Sequence, residues 1–436
     1  MISRALSTGI PLSTMAVLML SVFTVSIGYG VILPLLPFLI ERLLGASGDA
    51  AQISRATGLL TGMYMLSLFV FAPVWGRLSD RYGRRIILLI GLVGFSITML
   101  IFAFIENLVA VYAERFLSGM FSAAVTPVAL AVIGDIAATE DVRARRLTFV
   151  SLAGISGFLL GPMLGVGVTR AAGSLLPFFS GDGALTLPLA ATAILALLVA
   201  FATVITVPET RPRDAAAKRG QPAPELVPRL VPLLLSLAFI VAAGVGVFEV
   251  GLALRGKQEL GLTQYQIAMM FTLCSVVMFV VQAIVFSPLI KAETTRWFIA
   301  PALTVLAAGL FLVPRASDFT LMLVVIGAVA ASAGILSPIL TYWISNRAGE
   351  AQGAQLGKQT AAASLGAALG SVAGGLLFDV TWLPDAPFLL MTVLTLAGIL
   401  LSLSLPKLLV RSPHTGAVDD GTIGKLASPA PKKTGS

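Results

Sequence analysis

Three ionisable residues lie where water should be scarce. Glu114, Arg115 and Glu249 each sit inside long apolar runs of the 436-residue chain. A charge in hydrocarbon is costly enough that its presence points to a role. The chemistry open to these residues is proton transfer or ion pairing. Glu249 could load a proton on one side of a membrane and release it on the other, or it could pair with Arg115. Glu114 could be a further proton site or the partner of Arg115. A second cluster crowds GRLSDRYGRR, where Arg77, Asp80, Arg81, Arg84 and Arg85 surround Gly76 and Gly83. Such a cluster can act as a latch, because Asp80 can pair with an arginine or accept from a helix N-terminus. It can equally be a plain basic loop.

The elements that must position these residues follow from composition. The chain is 57% hydrophobic and 11% charged, against about 25% charged in soluble domains. Apolar runs fall at 13–37, 57–75, 86–105, 108–133, 147–169, 187–207, 230–254, 265–286, 297–313, 319–344, 356–377 and 387–405. Each is near the ~20 residues that cross a bilayer as a helix. The expected fold is therefore all-α and polytopic, with about twelve spans. A membrane β-barrel is excluded, since its strands would be ~10 residues of alternating polarity. The N-terminal run reads as a retained first helix, because MISRALSTGIPLSTM offers no small-residue cleavage site.

Several function classes drop out. The single cysteine, Cys274, lies in an apolar run and the single histidine, His414, in a polar tail, so neither a disulfide, a Cys/His metal set nor a histidine relay is available. No phosphate loop of the form Gly-x-x-x-x-Gly-Lys is present. No cofactor, metal or catalytic residue is expected, and the chain does not read as an enzyme. The net charge of +8 reflects basic loops of a membrane protein and not a nucleic-acid partner.

Polar segments divide the chain. Residues 1–207 hold six spans, 208–229 form a linker rich in proline and charge, 230–406 hold six more, and 407–436 form a polar tail with a disordered composition. If the N-terminus is cytoplasmic, the inner segments carry Arg77, Arg81, Arg84 and Arg85; Arg143, Arg145 and Arg146; and Arg211, Arg213, Lys218, Arg219 and Arg229. The outer segments carry the scattered Arg42, Arg55, Arg170, Arg255, Lys257 and Arg315. That asymmetry puts both termini in the cytoplasm. The halves also repeat: VFAPVWGRLSDR (70–81) aligns with VFSPLIKAETTR (285–296), and Gly157, Gly161 and Gly165 align with Gly366, Gly370 and Gly374. Two repeated bundles with a site between them are a transporter architecture.

GRLSDRYGRR resembles the loop 2–3 signature of the major facilitator superfamily, Gly-x-Leu-x-Asp-Arg-x-Gly-Arg-Arg/Lys, at every defined position. The resemblance implies a cytoplasmic gate formed by Asp80, Arg81 and Arg84, with Asp135 at the inner end of span 4. The second-half copy is degenerate, with Thr295 in the place of Asp80's counterpart. YAERFLSGMFSAA (112–124) is similar to the family's span-4 signature through Arg115 and Gly119. GISGFLLGPMLG (154–165) is similar to its span-5 antiporter signature, although Val166 stands where that signature ends in glycine. GVILPLLPFL (30–39) and FEVGLALRGKQELGLT (248–263) resemble the twelve-helix drug:proton antiporter branch. The fold implied is two pseudo-symmetric six-helix bundles, and Arg115 is assigned to proton or substrate handling. The carboxylate that several multidrug members carry in span 1 is missing here between Ser13 and Leu39.

Helical spacing sorts the remaining candidates. Glu114 and Arg115 lie about seven residues into span 4, roughly 10 Å deep, and Glu249 lies at a similar depth in span 7. Neighbours differ by ~100° around a helix, so Glu114 and Arg115 are expected to face apart. Arg115, Gly119, Ser122 and Thr126 then make one polar face, assigned to the central cavity. Substrate-wall candidates are Tyr29, Phe116, Met270 and Met278, with Gln282 and Gln359 as hydrogen-bonding groups. Each could equally be core or lipid-facing filler. Gly154, Gly157, Gly161 and Gly165 share one face of span 5, with Pro162 as a bend. With Gly366, Gly370 and Gly374 of span 11 they are expected to form a sliding interface between the bundles. Thr263 and Gln266 read as a capping box opening span 8.

The function expected is proton-coupled export of small amphipathic or apolar compounds by alternating access, from a monomer in the inner membrane. Its partners would be a small molecule, protons and lipid. Export or uniport of a defined metabolite is the alternative within transport, and a non-transporting receptor is the alternative outside it.

Overall fold

The computed structural model describes residues 11–45, 48–136, 140–175, 186–210, 230–285, 292–347, 352–383 and 385–406. Most of the linker and all of the tail expected at 407–436 lie outside the described residues, as do the side chains of Arg143 and Arg145. The helices are α1 (Leu12–Ile32), α2 (Leu36–Leu44), α3 (Ala50–Tyr82), α4 (Arg84–Ala103), α5 (Leu108–Ile136), α6 (Glu140–Leu175), α7 (Leu187–Thr206), α8 (Leu230–Gln258), α9 (Gln264–Val285), α10 (Ile299–Leu312), α11 (Phe319–Arg347), α12 (Gln352–Leu376) and α13 (Ala386–Ser402). The first span is α1 and α2 together. The chain turns at Leu33–Leu35, where Pro34 supplies no backbone donor. Thereafter each span is one α-helix, except that α10 is extended at both ends by 3-10 turns, Ala292–Phe298 and Val313–Arg315.

Ten helical stretches among the described residues are long and apolar enough to cross a membrane, one of them, Thr294–Arg315, joining α10 to the 3-10 turns that flank it, and α13 is a shorter apolar helix. α12 is different. It is rich in alanine and glycine, with Gln355, Lys358 and Gln359 in its first half. Its place is set by packing between α8 and α3, where small side chains let backbones close together. Described this way, the twelve expected spans are accounted for in a multi-pass membrane fold.

Two apolar cores organise the bundle. One gathers residues of α1 to α7, the other residues of α8 to α13. Each borrows from the opposite half: Val250 and Leu254 pack into the first, and Leu33 into the second. The hydroxyl of Thr14 at the start of α1 donates to the Thr206 carbonyl at the end of α7 (2.7 Å), so these ends lie on the same side.

Two local expectations need correction. The Asp80 cluster does not form a loop, because α3 continues helically through it to Tyr82. Gly83 alone makes the turn into α4, with φ 107° and ψ 149°, a conformation strained for any residue with a β-carbon. Gly76 lies inside α3 with open space where a side chain would go, so it serves no turn. The capping box at Thr263 is present: Thr263 N donates to Gln266 Oε1 at 2.9 Å and Gln266 N to Thr263 Oγ1 at 3.4 Å.

Candidate functional site

Accessibility along the two helices that meet at the midplane outlines a vestibule. On α1 the partly accessible residues Phe23, Ser26 and Tyr29 recur every third position, and on α8 Phe239, Ala242, Val245 and Glu249 do the same at helical spacing. Beyond these points the pattern stops. Every residue from Gly30 to Pro37 and from Val250 to Gly256 is buried. The opening therefore faces the end of the bundle that carries Arg84, and Tyr29 and Glu249 form its floor.

That floor is a bond between the halves. The Tyr29 hydroxyl donates to Glu249 Oε2 at 2.8 Å, across 220 residues of sequence. The Tyr29 ring is stacked against Tyr64 (5.3 Å, 18°) and against Phe158 (5.8 Å, 24°). Arg115 lies over the far ring, 5.7 Å from the Tyr64 centroid, and 4.4 Å from that of Phe102.

Arg115 does not reach Glu249. It is buried with Glu114 and bound to it through Nε–Oε2 at 2.6 Å and Nη2–Oε1 at 2.8 Å. The expectation that neighbours 100° apart must part company fails, because two long side chains can fold back toward each other along the helix surface. The salt bridge between Glu249 and Arg115 is accordingly absent. The polar face of α5 is also reassigned. Gly119 packs against α3, where a β-carbon would lie 2.6 Å from the Tyr64 carbonyl oxygen. Ser122 is buried beside Tyr64, while Thr126 is exposed. From Arg115 to Ser122 that face is therefore turned to α3 and not to the cavity.

The closed end is tied by several groups. Lys257 Nζ pairs with Glu41 at 2.6 Å, donates to the Pro37 carbonyl at 2.9 Å and lies 5.0 Å from the Phe38 ring centroid. Gln258 Nε2 donates to the Ala50 carbonyl at 3.1 Å and to Ser54 Oγ at 3.2 Å. Beneath them α3 and α12 touch backbone to backbone: a β-carbon on Gly58 would fall 2.5 Å from the Gly375 Cα.

At the open end, Arg84 holds the charge cluster together. Its Nη1 pairs with Asp80 at 2.5 Å and its Nε with Asp135 at 3.0 Å. Arg81 is instead packed over Tyr82, 5.4 Å from the ring centroid. Arg85 reaches the Val204 carbonyl, and Glu209 accepts from the Arg85 backbone N–H at 3.2 Å. A carboxylate at a helix N-terminus is electrostatically favoured. Glu209 and Thr210, which contacts Asp135 at 3.4 Å, were not anticipated from sequence. PET at 208–210 read there only as the start of a polar linker.

The glycine ladders have partners other than those expected. Gly157 and Gly161 press on α1, where their β-carbons would lie 2.3 Å from the Phe23 carbonyl and 2.9 Å from Gly30; Gly154 and Gly165 meet Val22 and Val31. Gly366, Gly370 and Gly374 press in the same way on α8 at Phe239, Ala243 and Val247. The ladders do not face each other. Each grips, within its own half, the helix that carries Tyr29 or Glu249. Pro162 lies at the Gly30–Gly161 crossing.

The Major Facilitator Superfamily model matches residues 18–357 and again 234–433. The chain belongs to the Major Facilitator Superfamily. It is 28% identical over 402 residues to Multidrug resistance protein 1 of Bacillus subtilis (strain 168), covering 90% of this chain and 96% of that one. It is 26% identical over 393 residues to the quinolone resistance protein NorA of Staphylococcus aureus (strain COL), covering 89% and 95%. Among solved structures, a D-xylose-proton symporter shares the fold with a TM-score of 0.71 at 18% identity, covering 90% of this chain and 96% of that one. This major facilitator is thus a membrane transporter and not an enzyme.

The remaining wall candidates of this major facilitator scatter. Phe116 is half-buried and meets Phe71 edge-on at 5.6 Å. Met270 is fully buried in the second core, away from any cavity, whereas Met278 and Gln282 are half-buried on α9. Gln359 donates to Thr341 Oγ1 at 2.6 Å, tying α12 to α11. Tyr64 and Phe158, central to the floor, escaped the sequence reading because lone aromatics in apolar spans look like core.

Proposed function

We propose that this major facilitator exports small amphipathic or apolar compounds, drugs among them, in exchange for protons. The names of the relatives support the cargo class, and the Tyr29–Glu249 bond at the vestibule floor carries the mechanism. Glu249 is the carboxyl on that floor with a partner from the opposite half, so it is the residue read as the proton carrier. Arg115 and Glu114 neutralise each other and act as a structural pair behind the aromatic stack. The halves 1–207 and 230–406 are read as the moving bodies, 208–229 as the linker and 407–436 as the tail. The basic end faces the cytoplasm, with both termini there, in the inner membrane of a bacterium. In that orientation the conformation is open inward, with its outer end shut, and the transporter works as a monomer.

The test is efflux of ethidium from proteoliposomes under an imposed pH gradient. Wild type should move dye and protons in opposite directions. Glu249→Gln should bind dye yet lose its response to the gradient. Undiminished pH-driven efflux from Glu249→Gln would end the carrier assignment. Transport of one polar metabolite with no response to apolar dyes would instead support the narrow exporter.

A further inference from the structure

We propose that Tyr29 is a positioning residue through which the protonation state of Glu249 is felt by the opposite half of the molecule. The inference rests on the reading of Glu249 as the proton carrier. Its geometry, however, is independent of that reading. The Tyr29 ring is stacked against two others, Tyr64 and Phe158. The next residue, Gly30, is locked against α6, where a β-carbon would lie 2.9 Å from the Phe158 carbonyl oxygen and 3.3 Å from Gly161. The hydroxyl is therefore aimed, and it is aimed at Glu249 Oε2 of the other half.

A phenol donating to a carboxylate makes a charge-assisted bond, roughly twice as strong as one between neutral groups. When Glu249 carries its proton, the charge is gone and the tie between halves weakens; release of that proton into the inward vestibule restores both. Tyr29 keeps its own proton throughout and passes none on. Protonation thus loosens the midplane and proton release tightens it, which links the protonation state of Glu249 to the parting of the halves.

The surroundings leave few other groups to compete. Cys274 of α9 lies near Glu249, and Arg115 and Tyr64 lie behind Tyr29. Arg115 is already held by Glu114. α10 and α13 contain no titratable residue, while α11 offers Tyr342 and Arg347 and α12 offers Lys358, all in the segments nearest the open end. Below the closed end, Arg255 is bound to Glu259 and Lys257 to Glu41.

Cys274 is the single cysteine and is buried on α9, whose neighbour α6 belongs to the other half. It reports on the seam without any engineered label. In wild type, the rate of its labelling by a neutral maleimide, divided by the rate for free cysteine at the same pH to remove the thiolate dependence, should rise as pH falls. In Tyr29→Phe, which keeps the ring, this ratio should be several-fold higher at high pH and nearly independent of pH. Ethidium efflux by Tyr29→Phe should reach half-maximum about one unit higher in pH, since loss of a donor to the charged carboxylate favours its protonated form. Its kcat should change more than its KM.

Labelling and efflux profiles of Tyr29→Phe that overlie wild type, while Tyr29→Ala fails and Glu249→Gln has lost its pH response, would overturn the proposal and leave the carrier assignment standing. A Glu249→Gln protein that keeps its pH response would strike the carrier assignment itself. Should Tyr29→Phe not fold, a wild-type ratio that is flat with pH overturns the proposal alone.

Discussion

Arg115 donates two hydrogen bonds to the carboxylate of the residue beside it in the chain, Glu114, and both side chains are buried at 2% exposure. This pairing removes two charges from the midplane account. It leaves Glu249 to respond to protons without a guanidinium holding it ionised.

Breaking that pair from one side should be costly. Removing one member of a buried pair strands the other and costs ~3–5 kcal/mol, whereas replacing both with apolar residues is often tolerated. Glu114→Ala and Arg115→Ala should each lower the unfolding temperature in detergent. Glu114→Leu combined with Arg115→Met should recover most of the loss.

The closed end depends on Gly58 and Gly375. Leucine at either position drives a side chain into the opposing backbone, so the end cannot shut while each half still packs. Gly58→Leu should fold, lose at least tenfold in efflux, and expose a cysteine placed at Ser54 to an impermeant thiol reagent from the outer side. Unaltered efflux would remove the seam from the transport cycle.

The Lys257–Glu41 pair should matter less. Glu41 is 58% exposed, and exposed pairs are worth ~0.2–1 kcal/mol. Lys257→Glu should shift the balance toward the outward-open form by only a few-fold. The swap Glu41→Lys with Lys257→Glu should restore part of it, but not the bond to the Pro37 carbonyl or the contact with Phe38. Spin-label distances between the outer ends of α2 and α8 would measure both changes.

Arg84 serves two carboxylates, so its loss should exceed that of Asp80. Arg84→Ala strands Asp135, which is 18% exposed, while Asp80→Asn leaves Arg84 with Asp135. Efflux should fall at least tenfold for Arg84→Ala and by less for Asp80→Asn. Equal effects would show that the bond to Asp135 adds nothing to the bond to Asp80.

The sequence by itself determined the solvent, the number of spans, the repeat and the chemistry available. Hydropathy over ~20 residues is a local property, and a ten-residue signature keeps its spacing whatever surrounds it. It also marked Glu249, Asp80, Arg84 and Asp135, because a charge among apolar neighbours stands out without any knowledge of contacts. Tertiary structure decided who meets whom. Helical phase sets the direction of a Cβ but not the course of a long side chain, so Glu114 and Arg115 turned toward each other against expectation. It does not say which of several helices lies opposite a glycine face, so the ladders found α1 and α8 and not each other. Nor could it single out Tyr64 and Phe158, ordinary in composition, as the rings that hold Tyr29 against Glu249 across 220 residues of chain. That contact exists only once two separate bundles are brought together, and no local pattern encodes it.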